Sequence, residues 1–400
     1  MKKLLVVLLT ISMILTISAC GTQSSSNPTQ SDTPQSNDSN AQNNTSENDD
    51  EILIGLSCAL TGNFPLAGQR TREGVDLALE EVNAKGGVLG KKLAYTIEDD
   101  QNTQTTAVNV VTKILTKNVS GVIGPHTSGN AMATNELYKN AKVPFMTGGT
   151  SPKLSGLNND YFFRVRPEDT INGQVAAKYA LEKLGAKKIG ISFNNNDFGT
   201  GGRDVIIEYL KKVNVPYVAV GHNSGDKDLT GQIMKLKSEG VDAIISWTDD
   251  AEVVLTARQL YELGFKVPVI ASAGVVMDQV LNLMEPEYIE GWYSVTDFVS
   301  TNNSPIVIEF VKNFENKYGY KPELYAATYY SATYVLADAI ERAGSADPQA
   351  VRDALAQTKG LQLPEGVFTT DGKGNMLQGC IVAQILNKVP TMIEYVDLNN

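Results

Sequence analysis

The chain has 400 residues, 34 lysines and arginines against 45 aspartates and glutamates, a formal net charge of -11 and 42% hydrophobic residues. That length implies more than one domain, each able to bury its own core. The acidic balance excludes a nucleic-acid binder, which needs a basic face for phosphates. Three cysteines and two histidines are a poor basis for a metal site, and neither metal nor cofactor is expected.

Met1-Lys2-Lys3 opens a short positive region, and Leu4 to Ile17 are apolar apart from two threonines and a serine. Small residues in "ISAC" then precede Cys20. Residues 1–19 thus read as a signal peptide, too short for a bilayer span. The cleavage region resembles the bacterial lipobox, which implies a lipidated Cys20 anchored in the membrane by two acyl chains. Thr22 to Asp50 carry no aromatic, branched aliphatic, lysine or arginine. Residues 20–50 are therefore expected to be a lipid-anchored, disordered linker.

From Glu51 onward, strand-like runs ("EILIGLSC", "KKLAYTIEDD", "SGVIGP", "AKVPFMTGG", "YFFRVRP") alternate with helical spacing such as "TREGVDLALEEVNAKG". After Pro167 the alternation restarts with "KKIGISF", "VPYVAVG", "VDAIISW", "VPVIASAG" and "GWYSVTDF". This spacing predicts parallel sheets covered by helices on both faces, in two doubly wound α/β lobes. Three helices follow, in "PIVIEFVKNFENKYGY", "ELYAATYYSATYVLADAIERAG" and "DPQAVRDALAQTKG", and a final pair of strands lies around Val367 and at Gly379 to Leu386. Cys58 and Cys380 allow one disulfide in an oxidising compartment, but their apolar strand-like surroundings favour buried free thiols.

In open parallel sheets, ligands bind outside the carboxyl ends of the strands. There "GVIGPHTSGN" places Thr127 and Ser128 before a helix, and "VPFMTGGTSP" ends in Gly148, Gly149, Thr150 and Ser151. Glycines let backbone approach a ligand, and a helix N-terminus with hydroxyls accepts a carboxylate. The same residues also serve as ordinary caps and turns. His126 sits in this turn, where it either satisfies a loop carbonyl or reaches the ligand and makes binding depend on pH.

The stretches "ILIGLSCALTGNFPLAGQRTREGVDLALEEVNAKGGVLGKKLAYTIEDDQ", "VIGPHTSG", "VPFMTGGTSPKL", "YFFRVRPEDTINGQVAAKYALEKLGAKKIGI" and "YYSATYVLADAIERAG…DPQAVRDALAQTKG" resemble, in order, the leucine/isoleucine/valine family of periplasmic binding proteins. The resemblance implies a type I fold: two Rossmann-like lobes, residues 51–168 with 298–372 and 169–297 with 373–400, joined by three crossover hinge strands. The crossings fall near 167–170, 295–298 and 371–375. It also implies a monomer outside the cytoplasm, tethered to the membrane by its lipid anchor, that passes a small amino-acid-like solute to an ABC permease and its ATPase subunits. Ser128, Gly148, Gly149 and Thr150 match the positions that hold the ligand carboxylate and part of its ammonium.

Other positions depart from the pattern. The acid that meets the ammonium falls at Ala273, and the first-loop aromatic falls at Ala67, with Phe64 close by as a substitute. Phe198 keeps the ring of a tyrosine, and "SWTDD" offers Trp247, Asp249 and Asp250 at a strand end. Trp247 is a pocket wall or lobe core. The aspartates either replace the missing acid or cap the helix beginning near Ala251. An alternative is a sensor-like ectodomain for amides, urea or aromatic acids. No nucleophile elbow or phosphate-binding loop is present, so an enzyme is not expected.

Overall fold

A computed structural model describes residues 50–62 and 64–397. The signal peptide, Cys20 and all of the linker up to residue 49 lie outside the described residues.

The first half alternates β1 (Glu51–Cys58), α1 (Pro65–Ala84), β2 (Lys92–Asp99), α2 (Gln104–Leu115), β3 (Val122–Ile123), α3 (Ser128–Ala141), β4 (Phe145–Thr147) and β5 (Phe162–Arg164). Their sheet has the order β2-β1-β3-β4-β5 and is parallel throughout. On β1, Ile52, Ile54, Leu56 and Cys58 are all buried on one face, at the period of two that a strand requires. Helix α1 begins earlier than its sequence pattern suggests, because Pro65 suits a first turn that needs no N–H donor there. Helices α2 and α3 pack together on the sheet, while α1 lies along a later helix.

The second half runs α4 (Asp169–Glu182), β6 (Ile189–Asn194), α5 (Asp197–Lys212), β7 (Tyr217–His222), α6 (Thr230–Ser238), β8 (Ala243–Trp247), α7 (Asp250–Glu262), β9 (Val269–Ala271), α8 (Asp278–Asn282), α9 (Pro286–Ile289) and β10 (Tyr293–Thr296). Next come α10 (Pro305–Tyr318), α11 (Leu324–Ala343) and α12 (Pro348–Leu355). The small antiparallel strands β11 (Leu361–Leu363), β12 (Gly366–Thr370) and β13 (Met376–Leu377) follow, then β14 (Cys380–Leu386) and β15 (Val389–Val396). Helix α11 packs along α1 and against β3.

The second sheet has the order β15-β14-β10-β9-β8-β6-β7. Five of its strands are parallel as expected, but β14 joins β10 antiparallel and β15 completes a hairpin. Asn387 and Lys388 form its two-residue turn at positive φ, the geometry that matches strand twist. Sequence reading missed β15 because its residues are mostly exposed or half-buried and show no clean alternation. Cys58 and Cys380 are free and buried, one in each large sheet.

Two arginines tie together the passages between the sheets. The Arg164 guanidinium, wholly buried, donates to the carbonyls of Gly149 (3.0 Å) and Ser151 (2.7 Å) and to Asn375 Oδ1 (2.7 Å), and it pairs with Glu168. Arg166 grips Asp297 bidentately at 2.9 and 2.8 Å. Gln378 donates to the carbonyl of Val165 at 2.6 Å.

Candidate functional site

The carboxyl ends of the two large sheets face each other across a cleft of about 910 Å³. Every site residue expected from sequence lies on its walls: Phe64, His126, Ser128, Gly148, Gly149 and Thr150 on the first, and Phe198, Trp247, Asp249 and Ala273 on the second.

The first wall is built from backbone and hydroxyls. Gly124, at φ 98°, turns the chain out of β3, and a cis Gly124–Pro125 bond leads it to α3. Ser128 opens that helix, and its Oγ accepts the Ser151 N–H at 3.2 Å. The turn after β4 presses against this helix end. A Cβ on Gly149 would stand 3.0 Å from Ser128 Cα, and one on Gly148 would stand 2.7 Å from the Tyr329 hydroxyl. Glycine is required here for close packing. The Gly149 N–H is already committed to Thr147 Oγ1 (3.0 Å), and the Thr150 carbonyl to the Asp169 N–H (2.9 Å). Gly149 therefore shapes the cradle without lending its own N–H.

His126 lines the cleft but is 3% exposed, with Nε2 on Thr71 Oγ1 at 2.5 Å and its ring packed against Tyr325 and Tyr329. Burial, then the nearby Arg166 charge, lowers its pKa to about 3. It stays neutral at physiological pH, so the titration considered for it does not occur there. With Nε2 spent on Thr71, it is no base for Ser128.

On the second wall, Asn196 Oδ1 accepts the Gly199 N–H at 2.9 Å and so caps α5, which carries the half-buried Phe198. Trp247 is 1% exposed, and its indole N–H donates to Asp169 Oδ2 at 3.3 Å. It is core and wall together. The expectation that Asp249 and Asp250 cap the helix through their side chains is not realised. Asp249 occupies the N-cap position of α7 without a side-chain cap bond. Its Oδ2 accepts from Asn196 Nδ2 (2.6 Å) and Ser224 Oγ (3.5 Å), while Asp250 accepts from Gln279 Nε2. Burial raises both carboxyls, Asp249 to about 6 and Asp250 to about 7, the second also through the Asp249 charge.

Ala273 is half-buried on this wall, and the adjacent Gly274 leaves room for Asp250, whose Oδ1 lies 2.7 Å from where a Cβ would stand. Ala67 is buried inside α1 and does not line the cleft, whereas Phe64 does, edge-on to Tyr325 at 6.3 Å between centroids.

Sequence reasoning missed Arg166, Asp169 and Tyr325 on the walls. The signal for the first was a charge inside the strand-like "YFFRVRP", since charge in a buried run needs a partner. Across one edge of the cleft, Ser151 Oγ donates to the Asp197 carbonyl (3.0 Å), and Lys153 Nζ reaches Thr200 Oγ1 (2.9 Å). Among the described residues, no group of three or more His, Cys, Asp or Glu side chains is placed to hold a metal ion.

Such a cleft between two α/β layers is a solute trap in form, and the family model for periplasmic binding proteins matches residues 51–389. The chain belongs to the leucine/isoleucine/valine-binding family of periplasmic binding proteins. A Leu/Ile/Val-binding protein homolog of Brucella suis is 30% identical over 329 residues, 81% of this chain and 87% of that protein. The leucine-binding protein LivK of Thermotoga maritima superposes with a TM-score of 0.82 at 26% identity, over 87% of this chain and 99% of that one. LivJ of Streptococcus pneumoniae, solved with isoleucine, gives 0.79 at 25%, over 86% and 99%. This periplasmic binding protein has the type I α/β fold, and membership places it outside the cytoplasm as a solute binder. No helix among the described residues is long and apolar enough to cross a membrane.

Proposed function

We propose that this protein is a lipid-anchored, extracytoplasmic binder that captures an amino-acid-like solute between two lobes and delivers it to an ABC permease. The observation that carries this reading is the cleft itself, with Ser128 at the start of α3 and the close-packed 148–150 turn on one wall and an acidic second wall opposite. The solute carboxylate docks first at the α3 N-terminus and Ser128, beside the 148–150 turn, where partial positive charge meets a hydroxyl. The second lobe then closes over it, bringing Phe198, Trp247 and Asp249. The motion is a hinge about the three passages that Arg164 and Arg166 tie together. Relatives that bind branched-chain amino acids make L-leucine, L-isoleucine and L-valine the first candidates.

A thermal-shift screen with these amino acids tests the reading. A solute at 100 times its Kd adds about 2.7 kcal/mol of stability by mass action, so the melting temperature rises. No rise with any amino acid at millimolar concentration would remove amino-acid capture. The anchor is tested separately: Cys20→Ala releases the protein from membrane fractions, and unchanged tight attachment overturns lipidation at that cysteine.

A further inference from the structure

Helix α5 opens with "DFGTGGRD", which puts Gly199, Gly201 and Gly202 in its first turns. A glycine inside a helix costs stability relative to alanine, so each needs a reason. Two find it within their own lobe. A Cβ on Gly199 would collide with the Asn194 carbonyl, and one on Gly202 would collide with the Trp247 indole. Gly201 is different. Its Cβ would stand 2.5 Å from Ser151 Oγ and 3.2 Å from Pro152 Cδ, both in the turn after β4 on the opposite wall.

The two sides of this contact belong to separate cores. Ile206 and Leu210 root α5 in the core around Trp247, whereas Leu154 roots the 152–157 turn in the core around Phe145. Gly201 and Ser151 are both buried, and neither lines the cleft. What buries them is the meeting of the two lobes.

Polar contacts close the same edge. Ser151 Oγ donates to the Asp197 carbonyl at 3.0 Å, and the Lys153 ammonium lies 2.9 Å from Thr200 Oγ1 and 3.5 Å from Asp197 Oδ1. Ser151 is itself fixed on both sides, its N–H on Ser128 Oγ at 3.2 Å and its carbonyl under Arg164 at 2.7 Å. A side chain at position 201 therefore finds no backbone free to yield. The Ser151 hydroxyl must turn away and give up Asp197, and the Pro152 ring cannot turn at all. The lysine is the weaker part, because its pair with Asp197 is partly exposed and water competes for it.

We propose that Gly201 is a positioning residue for solute capture: with Ser151 and Pro152 opposite, it forms a clasp that holds the lobes together without touching the solute. The inference rests on the cleft being the hinged trap proposed above. Every atom of the clasp belongs to the protein, so it favours the closed arrangement whether or not solute is bound. In a two-state trap the apparent affinity is that of the closed state reduced by the fraction of protein that is closed. Gly201 thus sets affinity by setting that fraction. Because solute leaves only through an open cleft, loss of the clasp speeds release more than it slows entry.

The test uses the full chain and two readouts. Pulsed EPR measures the distance between nitroxides at Asn140→Cys on α3 and Glu208→Cys on α5, both exposed positions. A Cys20→Ala background leaves only Cys58 and Cys380, which are buried. Without solute, Gly201→Leu is expected to lengthen this distance, and Gly201→Ala to lengthen it less. Stopped-flow with L-leucine is expected to show about 3- to 10-fold faster release from Gly201→Ala, the scale of one lost hydrogen bond. Lys153→Met is expected to change release by less than about threefold. The melting temperature of Gly201→Ala without solute should not fall, since alanine favours the helix. A lower melting temperature with distance and release unchanged would make Gly201 ordinary packing and overturn the clasp. If L-leucine does not bind the parent protein, leucine capture falls and the distance alone decides the clasp: lengthening supports it, and no change overturns it. Should Gly201→Leu fail to fold, Gly201→Ala carries both readouts.

Discussion

The two walls of the cleft use the same α/β grammar, strand ends feeding helix starts, and arrive at opposite chemistry. At the ends of β3 and β4 the side chains are small and the polar groups largely satisfy one another: Ser151 N–H on Ser128 Oγ, Gly149 N–H on Thr147 Oγ1, and the Gly149 carbonyl under Arg164. At the end of β8 the groups are ionisable and their partners neutral, as Asn196 is for Asp249 and Gln279 for Asp250. The first wall is a rigid shape whose offer to a ligand hardly changes with conditions. The second is a charge whose value depends on pH and on what it meets. One wall thus sets shape and the other carries charge.

The largest effect is expected where the walls are joined. Arg166→Ala leaves Asp297, 1% exposed, with its charge buried and unpaired. Breaking a buried pair in this way costs about 3–5 kcal/mol, measurable by urea unfolding; a loss below about 1 kcal/mol would show that the bidentate pair does not hold the passages together.

A smaller effect tests the first wall. Ser128→Ala is expected to weaken solute binding by about 1–3 kcal/mol with little change in its pH dependence. A variant that keeps full affinity would take Ser128 out of the cradle, and one that alters the pH profile would blur the division between the walls.

The smallest effect concerns the buried carboxyls without solute. The Asp250 carboxyl, raised by burial and by Asp249, and the Glu323 and Glu365 carboxyls, raised by burial to about 8, bind protons in the folded state that the unfolded chain does not. Their contribution is lost as pH rises through these values, so the melting temperature should climb as pH falls from about 8 to about 6.5. Below that the trend is opposed, because the unfolded chain protonates a histidine that the folded state keeps neutral at His126. A steeper slope in wild type than in Asp250→Asn assigns part of the effect to the second wall, and identical slopes place it wholly on the buried glutamates.

Much of this was legible in the residues. Alternating runs of two periods announced parallel sheets, and "GPHTSG" and "MTGGT" announced a cradle, because backbone approach needs glycine and helix starts favour hydroxyls. The closing strands were less legible: β15 is a partly exposed strand, and only pairing with β14 makes it one. His126 looked like a candidate switch because a turn in a ligand loop is usually wet, yet side chains from two helices, α1 and α11, bury it. Sequence alone determined the layer order of the fold and the chemical type of each cleft residue, since periodicity and local turn chemistry are short-range properties. Only the tertiary structure decided which of these groups were already spent on one another, that Asp250 fills the space beside Gly274, and that Arg164 and Arg166 bind the passages between the sheets. Those outcomes depend on contacts between residues far apart in the chain, where burial decides which charges can be borne.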